Sequence, residues 1–446
     1  MINRRLLFFV LMGLLMPSAQ AADEELQQIV KELRSQVEML TTRLQQLEQR
    51  LNQKEIIPGK ANPQLQIENK TVEVGDTKGS IKIPGTETSL AIGGYVKLDV
   101  IYNSQSVGGS GGSNLGDQML QPGSIAVKSD DTENDQITFH ARQSRFWLKS
   151  YTPTEWGDLN TYMEMDFFAF QSPGNERVSN SYSPRLRHAF GSLGGFLAGQ
   201  TWTTFMNVEA LPELNDFGGP VGRIFVRQPQ IRWTQPLYGD ELEWMVAIES
   251  PESTLTNING DRETPDDDHF PDMITRFNLY RSWGTISLAG MVRNIQSDSQ
   301  NDSDAFGAAV SLAGRIKTIH RDDLRFMLNY GNVLGRYASS NLFNDGAING
   351  QGEIELFKQY GGFLAYRHWW HNNWRSTIAY GFSYADNVSF VPETVSQWAQ
   401  SAQFNLLWSP LPQTTLGLEY TYASRELENN ESGNLHRIQF SSVFRF

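Results

Sequence analysis

The sequence predicts an all-β transmembrane barrel of about 16 antiparallel strands, preceded by a periplasmic coiled-coil helix. Three observations predict this fold: an export signal at the N-terminus, strands in which apolar and polar residues alternate, and connections that alternate between short and long. The chain of 446 residues is 39% hydrophobic, carries a net charge of -13 and has no cysteine. A barrel strand that alternates apolar and polar residues has only a moderate average hydrophobicity, so this composition is compatible with a membrane-facing surface. The negative net charge argues against a nucleic-acid partner.

The N-terminus carries the features of an export signal. Arg4 and Arg5 precede an apolar run over 6–16, and small residues over 19–21 offer a cleavage site. This order is typical of a secretory signal peptide, which we assign to residues 1–21. The apolar run is about half the ~20 residues that a spanning helix needs, and no other stretch could span as a helix. A role in a membrane must therefore come from strands.

Residues 23–55 form a heptad repeat whose core positions hold only leucine and valine. These positions are Leu26, Val30, Leu33, Val37, Leu40, Leu44, Leu47 and Leu51. Their spacing alternates between four and three, with Gln, Glu, Arg and Lys outside, which favours a coiled coil over a lone amphipathic helix with its wider apolar face. A linker rich in proline and glycine, residues 56–89, follows, and we expect the barrel over residues 90–446.

From residue 90 onward the hydrophobic period is that of strands. In one example, Leu242, Trp244, Val246 and Ile248 alternate with Glu241, Glu243 and Glu249. A soluble β-sandwich also alternates, so the connections decide between the two folds. Seven short connections, such as 281–284, alternate without exception with eight longer ones, such as 203–222. This sorting is typical of outer-membrane barrels, which have short periplasmic turns and long external loops, and it requires sixteen strands.

The end of the chain supports the same assignment. Ile438, Phe440, Phe444 and the terminal Phe446 share one face of the last predicted strand. This ending resembles the signal read by the barrel assembly machinery of the outer membrane, which we expect as a partner together with outer-membrane lipid. Tryptophan residues near the ends of several strands fit the aromatic girdles of such barrels.

The order of signal, short coiled coil, linker and sixteen-strand barrel resembles the DcaP-like porin family. Stretches that carry the resemblance include 92–97, 141–145, 186–194, 197–202 and 216–222, and residues 43–48 resemble the pattern of short trimeric coiled coils. The resemblance implies a homotrimeric outer-membrane channel of Gram-negative bacteria with its coiled coil in the periplasm. It also implies a preference for small anionic solutes such as dicarboxylates.

Alternation places a set of basic side chains in the lumen, opposite apolar outward neighbours. The set is Lys97, Arg145, Lys149, Arg185, Arg187, Arg223, Arg227, Arg232, Arg276 and Arg293. Arg or Lys on the lipid face near the bilayer centre would cost about 2–4 kcal/mol each, which favours inward placement. Arg185 and Arg187 are about 7 Å apart along one face, a spacing suited to a small dianion. Alternatively, the basic groups only pair with Asp99, Glu164 and Asp166. A bulge expected at Pro229 leaves the register of Arg223 and Arg227 open.

The connection over 203–222 resembles the inward-folded constriction loop of porins. It carries Glu209, Glu213 and Asp216. Acidic groups on this loop that face arginines on the wall would set a field across the narrowest point and orient a passing anion or zwitterion.

Three polar residues share the parity of outward-facing neighbours. They are His140, Arg142 and His188, in the second and fourth predicted strands. Facing lipid they would be costly, so we expect them at the interface of a trimer; a local bulge that turns Arg142 inward is the competing account.

Catalysis is not indicated by the sequence. The seven histidines are scattered, without a nucleophile motif or zinc spacing, so no enzyme activity, cofactor or metal site is expected. The leading prediction is a porin for small hydrophilic, anionic, dicarboxylate-like solutes. The alternatives are a phosphate-type or weakly selective general porin, and a structural or adhesive barrel with a plugged lumen.

Overall fold

A closed antiparallel barrel forms because alternating side chains give every strand one apolar and one polar face. The computed structural model describes residue 31, residues 35–36, 38–43 and 45–46, and residues 73–106, 115–128, 133–168, 179–265, 269–297 and 303–446. Sixteen barrel strands pair with their sequence neighbours, and the first pairs with the last from Tyr95–Arg445 to Asn103–Arg437. The predicted strand number is therefore confirmed.

The barrel strands, numbered in chain order, have the following bounds: β1 Ser89–Ser106, β2 Glu133–His140 and Arg145–Thr154, β3 Gly157–Asp166, β4 Arg185–Leu193, β5 Phe196–Trp202, β6 Arg227–Tyr238, β7 Leu242–Glu249, β8 Asp272–Arg281, β9 Gly284–Gln296, β10 Asp304–Lys317, β11 Asp323–Gly331, β12 Lys358–His371, β13 Trp374–Asp386, β14 Ser396–Leu411, β15 Thr414–Leu427 and β16 Ser432–Arg445. Outward positions hold large apolar side chains, for example Ile92, which is 66% exposed, and Leu364, which is 54% exposed. Among the described residues, no helix combines the length and the apolar character needed to cross a bilayer.

Short and long connections lie at opposite ends of the barrel, except that the last connection, 428–431, is shorter than the connection 318–322 at the other end. We call the end with the short connections the turn end and the other the loop end. The loop-end connections are L1 (107–132), L2 (167–184), L3 (203–226), L4 (250–271), L5 (297–303), L6 (332–357), L7 (387–395) and L8 (428–431). L4 and L6 together form a small sheet from the strands Leu255–Thr256, Arg262–Glu263, Gly346–Ile348 and Ile354–Leu356.

A break in β2 corrects the expected orientation of His140 and Arg142. Residues 141–144 leave the strand, and the outward parity changes from Phe139 to Phe146 across this break. His140 therefore points inward, 5.6 Å from the Phe168 ring. Arg142 is buried, its guanidinium carbon 3.7 Å from the Tyr182 ring centroid in L2. The segment around Arg142 therefore fits the alternative of a local irregularity in the strand better than the prediction that these residues face outward.

A bulge in β4 has the same effect on His188. Glu164 pairs with His188, whereas the next residue, Met165, pairs with Leu186, so one residue of β4 is extra. His188 is consequently buried, with its Nδ1 3.0 Å from Thr201 Oγ1. None of the three residues thus presents an exposed polar group to lipid, and the location of a trimer interface at these strands stays a prediction. The prediction of a bulge at Pro229 is wrong, because Pro229 pairs in register with Gln200.

The N-terminal helix is described at only part of its length. The described residues between 31 and 46 are helical, and the predicted core residue Leu40 is 64% exposed in the single chain. The other seven predicted core positions, Leu26, Val30, Leu33, Val37, Leu44, Leu47 and Leu51, lie outside the described residues, as does the signal segment 1–21.

The topology yields a labelling prediction. The chain has no cysteine, so single cysteines can be introduced without background. We expect cysteine at Asn259 in L4 to react with a membrane-impermeant maleimide in intact cells, because external loops are the long ones. Cysteine at Glu155, in the turn between β2 and β3, should react only after lysis. Labelling at Glu155 in sealed cells would reject this orientation.

Candidate functional site

L3 folds into the barrel and follows its inner wall. Thr204 donates its backbone N–H to Glu249 of β7, Thr285 of β9 donates to Glu209, and Asn215 donates its N–H to Glu419 of β15. Gly222 lets the loop return against β12 and β13, since a side chain there would collide with the Phe382 carbonyl. The structure therefore places the connection inside the barrel from residue 203 to residue 226, and its role as a constriction loop stays a prediction.

L6 packs against L3 and fills the same side of the barrel. An apolar cluster joins Phe205 and Met206 of L3 to Leu334 and Tyr337 of L6. The wall beneath them has small inward side chains: Ala289, Ala309, Ala313, Ala365 and Ala379. These alanines leave room for two loops, so the interior along β9–β13 is largely packed protein.

Glu213 of L3 forms ion pairs with two arginines of the barrel wall. Arg375 donates to both of its carboxylate oxygens, at 2.8 and 2.5 Å, and Arg367 donates at 3.0 Å. Burial alone would raise the pKa of Glu213, but the hydrogen bonds and charges of these two arginines lower it below its ordinary value. The carboxylate is therefore held ionised and fixes the centre of L3 to β12 and β13.

The other two acidic residues of L3 have different surroundings. Asp216 is buried with Arg437 of β16, whose Nη1 lies 2.6 Å from its Oδ2. Glu209 accepts a hydrogen bond from Thr285 and lies beside a cavity on the opposite flank of L3. The three predicted acids thus anchor successive parts of the loop, and they do not line one face of a single constriction.

Half of the predicted basic residues are neutralised by carboxylates. Arg185 binds Asp166 with two hydrogen bonds of 2.9 Å, and Arg187 bridges Glu164 at 2.6 Å and Asp166 at 2.7 Å. The remaining members are Arg145 with Glu164, Lys97 with Asp99, and Arg293 with Asp272 and Asp345. The contacts of Lys97, Arg145, Arg185 and Arg187 are those of the alternative in which basic groups pair with Asp99, Glu164 and Asp166.

The other predicted basic residues make no ion pair within the part of the chain that the structure describes: Lys149, Arg223, Arg227, Arg232 and Arg276. Arg276 donates to the Met206 carbonyl of L3 and to the Met245 sulfur. Arg227 lies over the Trp202 ring, 4.6 Å from its centroid, and Arg223 lies 3.9 Å over Phe225. Among the described residues, no carboxylate lies within ion-pair distance of these five cations, so direct pairing does not neutralise their charge.

Arg232 and Arg276 share a cavity of about 230 Å³ beside L3. Its lining also includes Glu209, Asn278 and Tyr280. The Nε atoms of both arginines are buried and have no hydrogen-bond partner among the described residues. Two adjacent guanidiniums with open donors can bind an anion that loses its water shell, since charge-assisted hydrogen bonds to carboxylates are strong.

A second cavity, of about 330 Å³, lies on the other flank of L3. Lys97, Arg145, Arg187 and Arg445 line it together with Glu213. Basic residues therefore line the lumen on both sides of the loop.

Several basic residues of the lumen were missed by the sequence analysis. They are Arg315, Arg325, Arg367, Arg375, Arg437 and Arg445. Alternation in β10–β13 and β16 could have placed them inward. Arg315 and Arg325 pair with Asp323, only eight and two residues away, whereas Arg367 and Arg375 pair with Glu213, and Arg437 pairs with Asp216, all across more than 150 residues. The described residues contain no group of three or more His, Asp or Glu side chains arranged to hold a metal ion.

Comparisons with known proteins agree with the geometry. The model of the family described as DcaP outer membrane protein matches residues 18–446. The crystal structure of the outer membrane channel DcaP of Acinetobacter baumannii superimposes with a TM-score of 0.69 at 20% identity, covering 84% of this chain and 100% of that one. An anion-selective porin from Comamonas acidovorans gives a TM-score of 0.51 at 11% identity, covering 81% and 100%.

The trimer form of OmpT from Vibrio cholerae gives a TM-score of 0.50 at 9% identity, covering 80% of this chain and 99% of that one. No curated protein sequence matches the chain. The likenesses in structure show a shared porin fold. The family match covers almost all of the sequence, and the chain therefore belongs to the DcaP outer membrane protein family, whose members are outer-membrane proteins.

Proposed function

We propose that the protein is a diffusion porin that prefers small anions of the dicarboxylate type. The observation that carries this proposal is the set of five basic residues without an ion pair among the described residues, above all Arg232 and Arg276 in one cavity beside L3. Inward charges at a narrow, low-dielectric passage attract counter-ions and raise their local concentration, even on a protein with a negative net charge.

The packing of the loops supports a passage along one side of the barrel. L3 and L6 fill much of the interior along β9–β13, whereas Arg145, Lys149, Arg185 and Arg232 are half-buried on β2, β4 and β6. A solute that follows this less filled wall would meet one basic residue after another. The alternative of a structural barrel would require this side to be closed as well.

We further infer a homotrimer with its coiled coil in the periplasm. The heptad repeat over 23–55 supports it, as does the likeness to a porin whose structure is described as a trimer form. In this arrangement the loop end faces the outside of the cell, and the terminal Phe446 is read by the barrel assembly machinery.

The proposal predicts the sign of a reversal potential. With the full chain in a planar bilayer and a tenfold KCl gradient, we expect the potential of zero current to approach the chloride equilibrium potential. The same recording with phosphate and with succinate ranks the two candidate solute classes. A potential near the potassium equilibrium value would overturn the anion preference, and the absence of any conductance would favour the structural barrel.

A further inference from the structure

A polar cavity of about 380 Å³ lies at the loop end, between L1, L4, L6 and L7. Its volume is within the range of about 300–1,000 Å³ that is usual for small-molecule sites. The described residues that line it include Arg262 and Arg425 but no Asp or Glu. The Arg262 guanidinium therefore places a positive charge at its wall.

The floor of this outer cavity is held in place by hydrogen bonds between L4 and L6. Arg262 donates from Nε to Asn344 Oδ1 and from Nη2 to the Asn341 carbonyl, both at 2.6 Å. Asn344 in turn donates to Thr256 Oγ1 at 2.7 Å. Arginine has five N–H donors, so the guanidinium is fixed in direction while part of its fork stays available. Such preorganisation lowers the entropy cost of binding.

Asn341 supplies a second, independent feature. Its side-chain Oδ1 is buried and has no hydrogen-bond partner among the described residues, although it belongs to a residue that lines the outer cavity. A buried acceptor of this kind is costly unless a donor meets it. Ser339, Ser340 and Asn341 also have φ values of +51°, +58° and +58°, a strained run for residues with side chains.

We propose that the outer cavity binds a small hydroxylated carboxylate, of the sugar-acid type. The guanidinium of Arg262 takes the carboxylate, since its fork matches carboxylate geometry. A hydroxyl group of the same solute donates to Asn341 Oδ1, and the neighbouring Gln121 and Ser340 offer further partners. An ionised dicarboxylate has no donor for Asn341, so the chemistry of this site differs from that of the lumen.

This inference rests on the proposed function only in requiring that anions enter from the loop end. The experiment compares D-gluconate with hexanoate, which has the same six-carbon acid chain without hydroxyl groups. Each is added to the loop-end side of a single trimer in a bilayer, and the concentration that half-blocks the current is measured. We expect gluconate to block at a concentration about tenfold lower than hexanoate, because hexanoate leaves Asn341 unpaired.

Two variants and a control assign the effect to residues. Arg262→Gln should raise the half-blocking concentration of both acids about tenfold, through the lost charge-assisted bond. Asn341→Leu should raise that of gluconate alone. Arg281→Gln, which removes an exposed arginine at the turn end, should leave both unchanged. Heat-modifiable migration on a semi-native gel confirms that each variant is folded.

The outcomes separate the two proposals. Equal block by gluconate and hexanoate, or an unchanged gluconate block in folded Asn341→Leu, would overturn the outer site and leave water as the occupant of the cavity. A normal anion preference in KCl with no block from either side would also overturn it while leaving the porin proposal intact. Sided gluconate block in a channel without anion preference would support the site and reject the proposed function.

Discussion

Replacing Arg232 and Arg276 together by glutamine should lower the anion-to-cation permeability ratio roughly tenfold. The two residues share the 230 Å³ cavity beside L3 and make no ion pair among the described residues. A unit charge about 8 Å from a passing ion, at an effective dielectric constant of about 40, contributes about 1 kcal/mol, which salt reduces further. The reversal potential in a KCl gradient should therefore move most of the way toward zero.

The control for this double variant is Arg281→Gln with Arg321→Gln. It removes the same number of charges from exposed positions at the turn end, so net charge falls equally without a change inside the lumen. A similar shift in the control would mean that net charge, and not the cavity, sets selectivity. Arg185→Ala and Arg187→Ala should also lower anion preference, but each removes one of the two cations paired with Asp166 and so disturbs the wall as well.

Arg293→Met should destabilise the barrel by about 3–5 kcal/mol. The Arg293 guanidinium is fully buried between Asp272, at 3.0 Å, and Asp345, at 2.5 Å, and it also donates to the carbonyls of Val333 and Glu252. Methionine fills similar volume but leaves the Asp345 carboxylate without its ion-pair partner in a dry interior. The free energy of unfolding, measured by denaturant titration of the refolded protein, tests this value.

Arg281→Gln serves as the matched change at the surface. Its pair with Glu241 is exposed, so the expected loss is within about 1 kcal/mol. The variant Arg293→Met with Asp345→Asn should recover part of the loss, because the unpaired charge is then gone. Equal stability of Arg293→Met and the unmodified chain would show that L6 contributes little to the stability of the barrel.

The strands and connections could be predicted because they depend on local patterns. Apolar and polar residues alternate in segments such as Leu242–Glu249. The number of residues between two such segments gives the length of the connection. The inward path of L3 was suggested only by the resemblance of the third long connection to the constriction loop of porins. These features require no knowledge of which distant residues meet.

The predicted side-chain orientations are wrong where the two-residue period of a strand is interrupted. His140 and His188 were placed outward by counting from neighbours across the break at 141–144 and across the β4 bulge, and one extra residue reverses every side chain beyond it. The pairing of Glu213 with Arg367 and Arg375 could not be read from the sequence, since those residues are more than 150 positions apart. Which arginines keep a free charge depends on such contacts.

The bond between Asp216 and Arg437 links L3 to the seam of the barrel. Arg437 lies on β16, the last strand in the chain, and also donates to Asn103 on β1 at 2.7 Å, so it lies where the first and last strands pair. Its partner Asp216 belongs to L3 and completes the contacts of this wholly enclosed guanidinium. A barrel that closed without L3 in place would therefore hold an unpaired charge at its own seam.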